Sequence, residues 1–217
     1  MNFLCNLLIY LMTQMHDIDL KILTIEQIET YQMLKTPAAN VPFPLHHEDK
    51  QLISAMKKKL YELEGVGLAA PQVNASKRII AIYIPESAAM LRDNAIPYPM
   101  HILINPTYEP VNPHEIIFDY ESCYSVSSLA GKVPRFKKIK VQYQNEEGIS
   151  QQQIVQGFYA RVLQHEIDHV NGLLITDRLT EDCVQGPIPD IMAKRRAELS
   201  AEKKILFDEL IARKLKK

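Results

Sequence analysis

The stretch Gln164-His165-Glu166-Ile167-Asp168-His169 decides how the rest of the chain is read. Its two histidines stand four residues apart. On a helix that spacing puts both imidazoles on one face, able to reach one metal ion. Glu166 lies beside them, placed to act as a base on water held at that metal. Phe158, Val162, Leu163 and Ile167 supply apolar contacts at helical spacing, and Asn171-Gly172 is a stop signal. A helix is therefore expected here. Two histidines are only two ligands, so the rest of the chain must provide a third.

Composition sets the frame. The chain has 217 residues, of which 47% are hydrophobic, and a formal net charge of -1. That suits one globular domain and gives no overall nucleic-acid signature, so neither DNA nor a membrane is an expected partner. Cys5, Cys123 and Cys183 are odd in number and far apart, which predicts a reducing, cytoplasmic setting rather than a disulfide framework. Residues 3–12 are almost entirely apolar but too short to span a bilayer, and the first Lys or Arg is Lys21. Residues 1–19 read as an N-terminal extension, which a start at Met12 or Met15 would shorten.

Outward from the His pair, the pattern over residues 47–64 is helical, with Leu52, Met56, Leu60 and Leu63 on one side and Lys57, Lys58 and Lys59 as a solvated flank. Gly65-Val66-Gly67-Leu68-Ala69-Ala70-Pro71-Gln72 follows, its small residues allowing close backbone approach. It is not a dinucleotide fingerprint, which needs a third Gly after a strand. Strands are expected at 78–84, 101–105 (closed by Pro106), 116–120, 138–143 and 151–155, with 85–99 as a loop. Beyond Gly186-Pro187-Ile188-Pro189, Asp190 is placed to cap a long helix from about Ile191. That helix ends in Arg213-Lys214-Leu215-Lys216-Lys217, a basic run that complements the helix dipole or meets an anionic surface such as ribosomal RNA. The expected fold is α+β: mostly antiparallel short strands around a central metal-binding His-Glu-x-x-His helix, with one helix in the N-terminal half and one at the C-terminus. The expected division is an extension at 1–19, a catalytic domain at 20–182, and a linker with a basic helix at 183–217.

The third ligand separates the chemistries. A metzincin would place a His at position 175, which is Ile175. A thermolysin-like peptidase would draw a Glu from a following helix, for which Glu198 and Glu202 are available. Cys123, in Glu121-Ser122-Cys123-Tyr124-Ser125, is the better candidate. A thiolate with two imidazoles makes a tetrahedral site with one position open to water. His101 and His114 are rivals that read more simply as strand or surface residues.

With these residues in hand, the sequence resembles the peptide deformylases. That family carries three motifs in order: Gly-hydrophobic-Gly-hydrophobic-Ala-Ala-x-Gln, Glu-Gly-Cys-hydrophobic-Ser, and His-Glu-x-x-His followed by Gly. Here they are residues 65–72, 121–125 and 165–169 with Gly172. Val133-Pro134-Arg135 and the approach to Gln164 agree too, and the resemblance covers about residues 22–179. There are departures: Ser122 stands for Gly, Tyr124 for a common Leu, Val170 for a common Leu, and residues 85–99 are long for a connection. If the replaced Gly needs positive φ, Ser122 would be strained.

The resemblance implies a hydrolase that removes the N-formyl group from the N-terminal methionine of new polypeptides and releases formate. It implies that Cys123, His165 and His169 hold one divalent metal, typically Fe(II), with Zn, Ni or Co forms of purified protein. Glu166 would be the general base and then the proton donor. The Gln72 amide and the Tyr124 backbone N–H would stabilise the oxyanion. Gly67 and Leu68 would line the peptide's path and Val162 the methionine pocket, with core packing as the competing reading of Val162. Glu121 and Arg135 would pair behind the Cys123 loop, and Asp168, facing away from the metal, would serve as a local hydrogen-bonding or capping partner. The expected partners are the N-formylmethionyl nascent peptide and, through the basic C-terminal helix, the ribosome. Two other readings stay open here: a different metallopeptidase, against which the missing downstream His argues, and a non-catalytic relative, which Ser122 keeps alive.

Overall fold

The computed structural model describes residues 18–92 and 95–214. The extension expected at 1–19 lies outside them except for its last two residues. In order, the elements are α1 (Ile28–Lys35), α2 (His47–Glu62), β1 (Gly67–Ala69), a 3-10 turn (Ala70–Val73), β2 (Ile79–Ile84), α3 (Glu86–Met90), β3 (Tyr98–Pro110), β4 (Ile116–Cys123) and β5 (Val126–Phe136). There follow β6 (Lys138–Gln144), β7 (Ser150–Gln156), α4 (Gly157–Val170), α5 (Ile175–Arg178), β8 (Gln185–Gly186), α6 (Ile188–Glu198) and α7 (Ala201–Lys214). The strands form a five-stranded sheet in the order β1-β2-β3-β6-β7 and a three-stranded sheet in the order β4-β5-β8. Every pairing within them is antiparallel. This is the α+β architecture expected, with α4 at its centre.

The five-stranded sheet is covered on both faces, which explains why β2 reads as an unbroken apolar run. Side chains alternate across a strand. Ile80 and Ile82 of β2 and Leu103 of β3 therefore pack toward α4, against Ala160, Val162, Leu163 and Ile167. Ile79 and Ala81, with Ile102 and Ile104, face the other way, onto Ile53, Met56 and Leu60 of α2. Burial on two faces removes the polar positions that would otherwise mark the strand period. The stop after α4 is Gly172, at φ +73, a left-handed conformation that glycine adopts without a Cβ penalty.

Several sequence expectations need correction. Pro106 does not close β3. The register shifts between Ile104 and Thr107, and this bulge carries the strand past Pro106. Asn105 sits in it at φ +51. Its side chain accepts from the Val41 N–H at 2.8 Å and donates to the Val41 carbonyl at 2.9 Å, which offsets the unfavourable backbone. Residues 126–136 carry no clean strand signal, because Ser127, Ser128, Gly131 and Pro134 interrupt the alternation, yet they form β5. The stretch 85–99 contains the short helix α3 rather than loop alone.

The long C-terminal helix is instead two helices, α6 and α7, separated at Leu199, whose backbone is extended. The first begins earlier than expected. Pro187 is at its N-cap, while Asp190 lies in the first turn and complements the dipole rather than capping. The Arg196–Asp208 pair, with Nε to Oδ1 at 2.6 Å, ties the two helices together. Past position 183 the chain stays joined to the domain: Gln185–Gly186 adds a strand beside β5, and Ile191 is buried with Tyr120 and Ala130. Among the described residues, no helix is long and apolar enough to cross a membrane.

Candidate active site

Two elements meet at the site. His165 and His169 stand on one face of α4, and Cys123 is the last residue of β4. The ligand atoms of the three side chains all lie within 4.8 Å of one another. Cys123 Sγ is 3.2 Å from His169 Nε2. The rival ligands are elsewhere. His101 Nε2 lies 2.8 Å from the Tyr159 hydroxyl and its Nδ1 2.7 Å from the Pro99 carbonyl. His114 is exposed. Glu198 accepts from the Tyr120 hydroxyl at 2.7 Å and from Lys132 at 2.9 Å, and Glu202 is exposed. Neither carboxylate belongs to the cluster.

The register of β4 against β5 shifts between Glu121 and Cys123, leaving both side chains buried and Ser122 exposed. Among the described residues, the only non-glycine positions with positive φ are Glu64, Asn74 and Asn105. Ser122 is not one of them, so the strain that a left-handed Ser122 would carry does not arise.

Behind the cluster lies a buried charge network. Glu121 accepts from Arg135 Nε at 3.0 Å and Nη2 at 2.9 Å, from Arg161 Nη1 at 2.6 Å, and from His165 Nδ1 at 2.9 Å. Burial opposes the charge on Glu121, but Arg135 and the His165 hydrogen bond outweigh it and hold the carboxyl well below its usual range. With Nδ1 turned to Glu121, the Nε2 of His165 is the nitrogen left for the cluster. Burial, with His165 as a second cause, pushes His169 well below the ordinary imidazole range and keeps it neutral, the form in which imidazole binds a metal.

Asp168 has a larger role than the local or capping one expected. It is buried and pairs with Arg135, and it accepts from Arg178 Nη2 at 2.6 Å and Nε at 3.0 Å. Arg135 thus ties β5 at once to β4 through Glu121 and to α4 through Asp168.

Glu166 is 4% exposed, and its Oε2 has no hydrogen-bond partner among the described residues. Burial pushes its carboxyl up to about 7. Gly67 explains how the side chain fits: a Cβ there would lie 2.3 Å from Glu166 Oε1. The second Gly of the Gly-Val-Gly stretch therefore makes room for this carboxylate. Gly67→Ala is expected to displace Glu166 and lower kcat at least 10-fold with metal content unchanged, read by steady-state kinetics beside metal analysis. A glycine kept only for backbone freedom would not give that result.

Gln72 is oriented by its own turn. Its Oε1 accepts the Ala69 N–H at 2.8 Å, which sends Nε2 toward Cys123 Sγ at 3.8 Å and Ser125 Oγ at 3.3 Å. The Tyr124 hydroxyl donates to the Leu63 carbonyl at 3.1 Å, and burial pushes its phenol up to about 12. The Leu68 side chain packs on the α2 side of the sheet, and Val162 packs in the core on the α4 side. Arg161 and Arg178 were not singled out by sequence. Arg161 stands one helical turn before His165 and carries no signature of its own in the sequence.

The donor set fits a metal. A thiolate and two imidazoles within reach of one another suit a divalent transition ion with a position left for water. Besides Glu166 Oε2, His169 Nδ1 is a buried polar atom without a protein partner among the described residues. Such atoms ask for a water, an ion or a substrate group.

A family model for polypeptide deformylase matches residues 21–184, which contain all of this machinery. The chain belongs to the polypeptide deformylase family. It is 42% identical over 150 residues to peptide deformylase 2 of Rickettsia conorii, covering 66% of this chain and 73% of the relative. It is 35% identical to a peptide deformylase of Ligilactobacillus salivarius over 163 residues, 69% of this chain and 86% of the relative. Among solved structures it is similar to the Met-Ala-Ser-bound class I type b peptide deformylase of Acinetobacter baumannii, with a TM-score of 0.64 and 32% identity over 75% of this chain and 99% of the other. The deformylase of Thermotoga maritima gives a TM-score of 0.61 at 31% identity, over 75% of this chain and 99% of the other. The activity of a deformylase is metal-dependent hydrolysis of the N-formyl group of nascent polypeptides. Helices α6 and α7 lie beyond the matched residues.

Proposed function

We propose that Cys123, His165 and His169 hold the metal of this deformylase, Fe(II) in the cell, and that Glu166 is its general base and acid. The observation that carries this reading is the buried, unpartnered Glu166 Oε2 beside three converging ligand atoms, with Gly67 shaped around it. When bound, the metal supplies a Lewis acid that makes water a nucleophile near neutral pH. Glu166 accepts the proton of the attacking water at Oε2 and returns it to the departing methionine nitrogen. Its carboxyl, pushed up to about 7, suits a group that must both take and give a proton near neutrality. The Gln72 amide, held by Ala69, and the Tyr124 backbone N–H stabilise the charge that develops on the formyl oxygen.

The substrate is an N-formylmethionyl peptide in extended form. β1 is an edge strand of its sheet, which supports the reading that Gly67 and Leu68 meet such a peptide through their backbone groups. In this reading Val162, packed in the core on the α4 side, borders the methionine side chain. Cys123→Ser is expected to leave most chains without tightly held metal and to lower formate release at least 100-fold. Metal analysis of the folded variant checks it, and a full metal complement would remove Cys123 from the ligand set.

The chain acts in the cytoplasm, where formylated nascent chains arise. The basic run at 213–217, whose last three residues lie outside the described ones, carries a ribosome contact that is electrostatic and therefore lost with salt. Co-sedimentation with ribosomes at low salt that falls steeply as salt is raised is the expected result; no co-sedimentation at low salt would exclude the contact.

A further inference from the structure

Arg161 belongs to no motif, yet it reaches the centre of the site. It lies one helical turn before His165 on α4, and its side chain is 8% exposed. Its Nη1 donates to Glu121 Oε1 at 2.6 Å and to the Val133 carbonyl at 2.9 Å, while Nη2 donates to the Ile117 carbonyl at 2.7 Å. One guanidinium thus clamps α4 to both β4 and β5, and on the same carboxylate that orients His165.

The contacts on Glu121 are divided. Oε1 accepts from Arg135 Nε and Arg161, and Oε2 accepts from Arg135 Nη2 and His165 Nδ1. Arg135 alone grips both oxygens and could pivot with its carboxylate. Arg161 adds a second anchor on Oε1, from a different element, which fixes the rotation of the carboxylate about its own axis. Oε2 is then held toward His165.

We infer that Arg161 is a positioning residue of the deformylase, which sets the orientation of His165 through Glu121. This rests on the reading that Cys123, His165 and His169 hold the metal. A purely structural Arg161 would stabilise the fold without altering the bound ion. A positioning Arg161 alters the ion's surroundings even where the fold is intact.

The test uses full-length protein loaded with Co(II), whose visible absorption reports ligand geometry, and compares Arg161→Met and Arg161→Lys with the unmodified chain. Partners that orient a metal-bound His typically change affinity or activity about 10- to 100-fold when lost. Arg161→Met is accordingly expected to release Co(II) to a chelator about 10- to 100-fold faster and to shift the Co(II) bands. With a formyl-Met tripeptide it should lower kcat by a similar factor with KM changed less than about 2-fold. Lys keeps one charge and cannot serve Glu121 and both carbonyls together, so Arg161→Lys should fall between. If Arg161→Met does not fold, Arg161→Lys carries the test. A folded variant with unmodified bands and release rate, whatever its melting temperature, would overturn the inference. Failure of the underlying reading looks different, because the unmodified chain would then bind no Co(II) at a thiolate site.

Discussion

Glu166→Ala is expected to lower kcat for formate release by about 100- to 10,000-fold while leaving one metal bound per chain. The magnitude is that of losing a general acid–base group, and the sign on metal content follows from geometry. Glu166 is not among the three side chains whose ligand atoms converge, and its carboxylate points into the space that Gly67 leaves open. Removing it deletes the proposed proton acceptor and creates no new ligand. KM should change little, since in the proposed reading the peptide backbone meets β1 and not this side chain. Steady-state kinetics beside metal analysis of the same sample reads both quantities. A variant retaining more than a tenth of wild-type kcat would transfer the base to another group, and a variant that loses its metal would make Glu166 a ligand.

Arg135→Leu is expected to produce the largest loss of stability among single changes behind the site, about 3–5 kcal/mol, the usual result of removing one partner of a buried pair. Arg135 is 3% exposed and serves Glu121 and Asp168, each of them buried. Leucine fills much of the space but leaves both carboxylates short of a cation. Arg161 and Arg178 remain as partners, which places the effect toward the lower end. Against a typical stability of about 5–15 kcal/mol, even that is a large fraction. Denaturant unfolding near neutral pH measures it. The difference should shrink in acid. Glu121 is held below its usual range when folded, so its contribution is present above its unfolded pKa of about 4.3 and is lost as pH falls further. A loss under 1 kcal/mol at neutral pH would mean that Arg161 and Arg178 suffice.

What the sequence could and could not show follows from how each feature is encoded. α4 was legible because its apolar spacing and its histidine pair share one period. α2 was legible for the same reason. β5 was not, since Ser127, Ser128, Gly131 and Pro134 interrupt its alternation, and pairing with both β4 and β8 overrides that weak pattern. The continuation of β3 past Pro106 depends on a bulge whose cost is met by Asn105 bonding to Val41, a contact 64 residues away. Cys123 could be proposed from its motif, but no spacing rule connects β4 to α4. The need for Gly67 lies in a contact with Glu166 that only the folded chain creates. Arg161 shows the same limit most sharply: as a lone arginine in a helix it has no signature, and its meaning comes from where Glu121 lies.

The most direct measurement is formate release from a formyl-Met tripeptide by anaerobically prepared, Fe(II)-loaded protein, with metal per chain determined on the same sample. Anaerobic handling protects the thiolate ligand from oxidation. One metal per chain, with turnover that disappears on chelation and returns on adding Fe(II), is the predicted result. One metal per chain with no formate released would contradict the account.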